Sequence, residues 1–390
     1  MTSPAELQGS QLNALAEASS TLETCSQKET TTEEHGPVDR PTGRVSHEVM
    51  EYLLKEAPEF RRLSKLRKKG WENRAGDRFF EKQRQTADTA DEKTAIIFYN
   101  MMRDMAKHMD HLTCVLQINT GSAHPDNKKT ILDMCMAPGG FLATALRLNP
   151  GACAVGFSLP TEKGGHEVRL PWRANVTLKF LDITMLAADM GVADIDIPAE
   201  HPDAPNFLPR QFKPGQRFDL VLCDGQVLRT HDRADYREKR EAARLKLTQL
   251  ALGLGHLQSG GSMVVLLHKV EALDSLNLLH TFEKFAAVRL YKHPKTHAKR
   301  SSFYMLATDI RADSEEAATA IETWKRTWRV ATFGTDEMYR EALLEERSDV
   351  AVLLKDFGPR LVELGRKVWQ IQANALEKAP FVGRSTKDIV

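Results

Sequence analysis

Between residues 130 and 309 short apolar runs alternate with longer stretches whose apolar positions recur every three or four residues. That rhythm predicts an α/β domain, a mostly parallel sheet with helices on both faces. Seven candidate strands cover residues 130–133, 152–157, 176–180, 218–223, 262–268, 286–291 and 302–308. Helical spacing marks residues 141–148, 234–257 and 273–285. The segment between the last two strands has no room for a crossover helix. It must be a hairpin-like connection, with one antiparallel strand expected at the edge of the sheet.

The flanks read differently. Residues 1–45 are polar and carry Glu29-Thr30-Thr31-Thr32-Glu33-Glu34, too little apolar surface to offset ordering, so a disordered tail is expected. Residues 46–125 read as a helical N-terminal region. Ser46 is a plausible cap before Val49, Tyr52, Leu53 and Leu54, and a second helix runs over residues 94–112. The sheet domain is assigned to residues 126–310 and a helical C-terminal extension to 311–390, with helices at 314–328, 337–346 and 350–375. Five prolines between residues 187 and 216 indicate an inserted surface loop, a candidate for the neighbourhood of a substrate cleft. Residues 229–246, mixed in charge, read as an exposed helix with i,i+4 pairs.

Composition narrows the class. A hydrophobic fraction of 42% supports a sizeable core, and a net charge of +1 excludes a polycation, so any nucleic-acid contact must come from local patches. Two such patches are Arg61-Arg62-Leu63-Ser64-Lys65-Leu66-Arg67-Lys68-Lys69 and Lys292-His293-Pro294-Lys295-Thr296-His297-Ala298-Lys299-Arg300. None of the five cysteines sits in a CxxC pair, which argues against a structural zinc site and for a reducing compartment. No apolar stretch reaches the length of a membrane span, and the first forty residues lack a signal core and are acidic rather than Arg-rich. Cytosol or nucleus is the expected location.

The stretch richest in chemistry is Ile131-Leu132-Asp133-Met134-Cys135-Met136-Ala137-Pro138-Gly139-Gly140-Phe141. A buried strand ends in a carboxylate, passes a Pro-Gly-Gly turn and enters a helix. Such a turn lets backbone approach a ligand, and the open end of a parallel sheet is where ligands bind. A carboxylate there can meet the cationic end of a cofactor. A nicotinamide site would want G-x-G-x-x-G and an acid about twenty residues on; neither is present, and a Walker loop is absent too.

This string resembles the cofactor motif of the FtsJ/RrmJ-type RNA ribose 2′-O-methyltransferases. Phe218-Asp219-Leu220-Val221-Leu222-Cys223-Asp224-Gly225 is similar to that family's strand ending in the catalytic acid. Ser259-Gly260-Gly261-Ser262-Met263-Val264-Val265 and Lys299-Arg300-Ser301-Ser302-Phe303-Tyr304-Met305-Leu306-Ala307 are similar to its later strands. The resemblance implies a Rossmann-like class I methyltransferase fold, S-adenosylmethionine as cofactor, and methyl transfer to a ribose hydroxyl of RNA. It places Asp133, Ala137, Pro138, Gly139, Gly140 and Phe141 at the cofactor. Ser158 stands where the family has the acid for the cofactor ribose, and Asp182 matches the acid that faces the adenine.

The family surrounds the substrate hydroxyl with a Lys-Asp-Lys-Glu set. The resemblance assigns Asp224 as the acid. Leu266 occupies the position of the second lysine, whose nearest substitute is Lys269, expected to pair with Asp224. Ser301 or Ser302 stands in place of the glutamate, and Lys82, Lys93 and Lys107 compete for the first lysine, with Lys82 favoured. These departures leave room for two other readings. One is an enzyme of the same fold acting on a non-RNA substrate. The other is a cofactor- or RNA-binding scaffold without turnover.

Overall fold

The computed structural model describes residues 46–88, 92–119, 128–171, 175–345 and 349–383. The tail expected over residues 1–45 lies outside the described residues. Seven strands form one sheet: β1 Thr130–Asp133, β2 Cys153–Ser158, β3 Val176–Phe180, β4 Phe218–Cys223, β5 Leu257–His268, β6 Ala287–Tyr291 and β7 Ser302–Ile310. Their order is β3-β2-β1-β4-β5-β7-β6, parallel from β3 to β5, with β7 antiparallel to both its neighbours. This is the Rossmann-like arrangement of class I methyltransferases.

The antiparallel strand is therefore not at the edge, as the sequence suggested, but between β5 and β6. Its first six residues are all buried, whereas β6 alternates between buried and exposed positions. A strand apolar on both faces needs cover on both sides, and the half-polar strand takes the rim. β4, at the middle of the sheet, is buried at all six positions.

The helices are α1 His47–Glu56, α2 Pro58–Trp71, α3 Arg74–Asp88, α4 Glu92–Thr113, α5 Gly140–Leu148, α6 Glu241–Gly255, α7 Leu273–Glu283, α8 Glu315–Phe333, α9 Asp336–Glu345, α10 Val350–Glu377 and the short α11 Pro380–Gly383. Ser46 caps α1, its hydroxyl accepting from the Val49 amide at 3.2 Å, and Ser314 caps α8 in the same way. The N- and C-terminal helices share one apolar core with the sheet. Phe60 of α2 packs on Trp369 of α10 with ring centroids 5.3 Å apart. No helix among the described residues is long and apolar enough to cross a membrane.

Three stretches depart from the sequence reading. The helix expected from residue 234 begins only at Glu241, and Arg237, Arg240, Glu241 and Arg244 are buried rather than exposed. β5 begins at Leu257 rather than Ser262, because Gly260 and Gly261 lie within the strand at a register shift against β4 and β7 and not in a turn ahead of it. The proline-rich insert is anchored: Asp189, Met190, Val192 and Phe212 are buried, and Asp189 accepts from the Gln211 and Phe212 amides at 2.8 and 3.2 Å.

Candidate active site

Because β1, β2, β4 and β5 run parallel, Asp133, Ser158, Cys223 and His268 reach the same edge of the sheet. Residues 292–301, which join β6 to β7, cross that edge too, since Tyr291 pairs with Tyr304 and His268 with Ser302.

Asp133 is 1% exposed, and its carboxylate accepts from the Cys135 amide at 3.2 Å. Burial, and then the charge of Asp224, push its carboxyl well above the usual range. Asp224 follows β4 immediately, and burial raises it to about 7. Gly225 is required beside it, because a Cβ there would strike the Cys135 side chain. Gln249 of α6 grips that residue through its backbone, accepting from the Gly225 amide at 2.9 Å. Tyr304 of β7 completes this cluster: burial and the Asp224 charge hold its phenol well above the usual range, and its ring lies 5.4 Å from Phe141.

In the Pro-Gly-Gly turn the two glycines serve different ends. Gly139 has φ 103 and caps α5, a left-handed conformation that favours glycine. At Gly140 a Cβ would lie 2.6 Å from the Tyr99 carbonyl oxygen and 2.8 Å from the Arg103 amide nitrogen. The space a side chain would take is filled by α4, so Gly140 seats a helix. The connection after β2 closes over the turn, the Arg169 amide donating to the Pro138 carbonyl at 2.9 Å. Ser158 is buried, and its hydroxyl makes only a 3.5 Å contact with the Leu159 carbonyl.

Asp182 is committed elsewhere. One oxygen accepts from the Thr184 amide and hydroxyl at 3.0 and 2.8 Å; the other accepts from Arg237 at 2.6 Å and lies 3.2 Å from His231. Burial works against the charge, but His231 and Arg237 outweigh it and hold the carboxyl well below the usual range. Arg237 also donates to Glu241, which receives Arg244 at 2.8 Å. Asp182, His231 and Glu241 offer a metal-like donor set, yet the Arg237 guanidinium already supplies the cation. The arrangement ties the loop after β4 to the loop after β3. Nothing in the sequence marked it, because a buried charge pair has the same letters as a solvated one.

None of the candidate lysines is among the groups that shift Asp224. Lys269 sits beyond β5 with φ 50; burial lowers it, and Glu271, not Asp224, is the acid that favours its charge. Lys82 is exposed on α3, and Lys93 is exposed in the first turn of α4. Lys107 lines a pocket of about 340 Å³ with Arg147, at the far end of α5 and so at the opposite edge of the sheet. Of the two serines in place of the glutamate, Ser301 and Ser302, Ser302 is buried.

Much of the basic patches is turned to internal use. Arg61 donates to the Leu54 and Lys55 carbonyls, Arg62 to Asn374 and Glu377, and Arg67 to Glu271 and Gln372. Buried Lys292 donates to the carbonyls of His297, Arg300 and Ser302 at 3.0, 2.7 and 2.7 Å, and burial lowers it to about 7.

No curated protein matches the chain in sequence. Among solved structures, an O-methyltransferase family protein from Burkholderia thailandensis aligns at 14% identity and TM-score 0.30, over 57% of this chain and 62% of that one. An rRNA methylase from Streptococcus thermophilus aligns at 12% and 0.31, over 53% of this chain and 96% of that one. TrmN from Thermus thermophilus aligns at 15% and 0.29, over 53% of this chain and 48% of that one. The sequence itself is decisive: residues 116–310, half of the chain, match the FtsJ-like methyltransferase family. With its sheet order and its Asp133 and Asp224 carboxylates at one strand edge, the chain belongs to the FtsJ-like methyltransferase family.

Proposed function

We propose that the protein transfers the methyl group of S-adenosylmethionine to a ribose 2′-hydroxyl of RNA. The observation that carries this reading is the Asp133–Asp224 pair. Two carboxylates lie close together in a buried site, and no ion pair with a cation is made by either among the described residues. Like charges so placed favour a bound cation. The residues fit the cofactor at that end: Asp133 faces its cationic amino-acid portion, the Pro138–Gly139 turn lets backbone approach, and Ser158 offers a hydroxyl to the ribose. Asp182 fits less well, since both its oxygens already serve Thr184 and Arg237.

Bound S-adenosylmethionine would supply a methyl group activated by a sulfonium. The protein then has to position a hydroxyl and take its proton. Asp224 does the second: with a carboxyl near 7 it is divided between acid and base forms at neutral pH, the poise a general base needs.

A second reading is favoured by a specific observation. Glu271 is the acid that favours the charge of Lys269, Lys82 is exposed on α3, and Ser301 or Ser302 stands in place of the glutamate, which supports a family set that departs from its usual form. On that reading the protein binds cofactor or RNA without turnover. Incubating the full chain with radiolabelled S-adenosylmethionine and cellular RNA separates the two. Label at 2′-O-methyl nucleosides, lost in Asp224→Ala, supports transfer. Calorimetric cofactor binding without label in RNA supports the scaffold.

A further inference from the structure

We propose that the corner between α2 and α3, centred on Trp71, is a binding surface for single-stranded RNA that leads into the cleft. The inference rests on the RNA reading above and names the part of the molecule that holds the strand.

Trp71 ends α2 and is 74% exposed, the most exposed aromatic ring among the described residues. It has no place in the core. The apolar face of α2 is already used, with Phe60, Leu63 and Leu66 buried. An indole left in water costs apolar hydration, and an indole amid cations is the arrangement that stacks a base while its phosphates are neutralised. Between residues 65 and 82 the chain carries seven Lys and Arg against three Asp and Glu. Arg67 is drawn inward, to Glu271 and Gln372, and exposed Lys68 lies 4.0 Å from Glu72. Lys65, Lys68, Lys69, Arg74 and Arg78, which flank Trp71 in the chain, are exposed.

The corner is built to hold its shape. A Cβ on Gly76 would lie 2.8 Å from the Gly70 carbonyl oxygen, and the Gly76 amide donates to the Asn73 carbonyl at 2.8 Å. The Asn73 side chain in turn donates to the Phe381 carbonyl at 2.8 Å, and Phe381 packs on Phe79 and Phe80. A stiff corner presents the indole without an ordering cost on binding.

The surface is also joined to the catalytic edge. Arg67 of α2 bonds Glu271, two residues beyond Lys269 at the end of β5. α3 lies along the β6–β7 connection: Gln83 accepts from Arg300 at 3.0 Å, and Lys299 sits over the Phe79 ring. His268, in the same layer, meets Gln226 at 3.0 Å, and Gln226 is two residues past Asp224. A strand stacked on Trp71 would thus run from α2 and α3 across the β6–β7 connection toward Asp224. Duplex RNA, with its bases stacked on one another, offers no face to the indole.

The test is fluorescence anisotropy of the full chain with a short mixed-sequence single-stranded RNA and with a hairpin duplex of the same composition. Trp71→Ala should weaken single-strand binding about 5- to 150-fold and leave duplex binding unchanged, while Trp71→Phe keeps most of the affinity. Lys68→Ala with Lys69→Ala should lower the salt slope of single-strand binding by about 1.4. Trp71 is exposed, so the variants should keep the wild-type melting temperature and cofactor affinity. Wild-type affinity in Trp71→Ala overturns the proposal and leaves the RNA methylation reading standing if label still reaches RNA. A wild type that binds S-adenosylmethionine but no RNA overturns both. A wild-type dimer that Trp71→Ala makes monomeric, by light scattering, reassigns the corner as a face between copies.

Discussion

The carboxylates of Asp133 and Asp224 stand at the ends of neighbouring parallel strands, and the Asp224 charge adds to the cost of charging buried Asp133. Around them stand Cys135, Cys223 and Tyr304, all held in their neutral forms by burial and by the Asp224 charge. The site is therefore a concentration of acidic groups, and among the described residues no lysine is a cause of the shifts of Asp133 and Asp224. In a Lys-Asp-Lys-Glu arrangement the cations would depress the acid; here the acid is free to titrate near neutrality. That difference shapes what can be measured.

The first consequence is thermodynamic. Asp224 has a folded pKa of about 7, above its unfolded value. Between roughly pH 4 and 7 the folded state therefore binds more protons than the unfolded chain, and stability falls as pH rises through that window. Asp224→Asn removes the penalty. Asp224 keeps some opening to solvent, so the gain at pH 8 should be modest, roughly 1–3 kcal/mol, and should vanish near pH 4. Urea unfolding at the two pH values measures it. An Asn variant no more stable than wild type at pH 8 would mean that the pair is already neutralised by a cation.

Gly140 separates a packing role from a ligand role. With the Tyr99 carbonyl and the Arg103 amide within 3 Å of a new Cβ, Gly140→Ala must push α4 off α5, at a cost of about 1–3 kcal/mol. The loss should appear in thermal unfolding without cofactor. A variant with wild-type stability but weakened S-adenosylmethionine binding would return Gly140 to the cofactor.

The sheet was legible because apolar runs report burial directly. Thr130–Asp133, Val176–Phe180 and Phe218–Cys223 stand where their residues implied, and the class I fold with them. What escaped has a common cause. Hydropathy has no sign for a charge satisfied inside the protein, so Arg237, Glu241 and Arg244 read as a solvated helix, and the inward pairing of Arg67 and Lys292 was not visible in their letters. Spacing along the chain also cannot say where a side chain turns. Lys269 is five residues beyond Met263's neighbour Val264, near enough in sequence to serve Asp224, yet its left-handed backbone sits beside Glu271. At Gly140 the sequence could not show that α4, more than thirty residues upstream, also leaves no room for a side chain.

Transfer itself should follow Asp224 and not Lys269. If Asp224 takes the proton, kcat/KM rises with pH through an inflection near 7 and levels above it. Lys269→Ala should change the rate by less than about tenfold and leave that inflection in place, since its charge answers to Glu271. Asp224→Asn should abolish both rate and inflection. Initial rates of methyl incorporation over pH 5 to 9 decide it. A loss of several orders of magnitude in Lys269→Ala would restore the lysine to the catalytic set.

The Arg237 network gives the sharpest contrast between removing one partner and removing both. Arg237 holds Asp182 and Glu241 together, each of them nearly inaccessible to solvent. Arg237→Met leaves two buried carboxylates without their shared cation, a loss of about 3–5 kcal/mol. The destabilisation should ease at low pH, where the orphaned acids take up protons, and worsen above neutrality. Adding Glu241→Leu removes one of the stranded charges and should recover part of the loss, although Arg244 then loses an acceptor. Because the network fixes the loop that follows Asp224, the single variant should also lose methyl transfer at temperatures where it remains folded. Chemical unfolding of the two variants at pH 5 and pH 8, beside their rates, measures each part. Equal stability of the single variant at both pH values would mean that water reaches Asp182 and Glu241 and that the loop is held by its backbone alone.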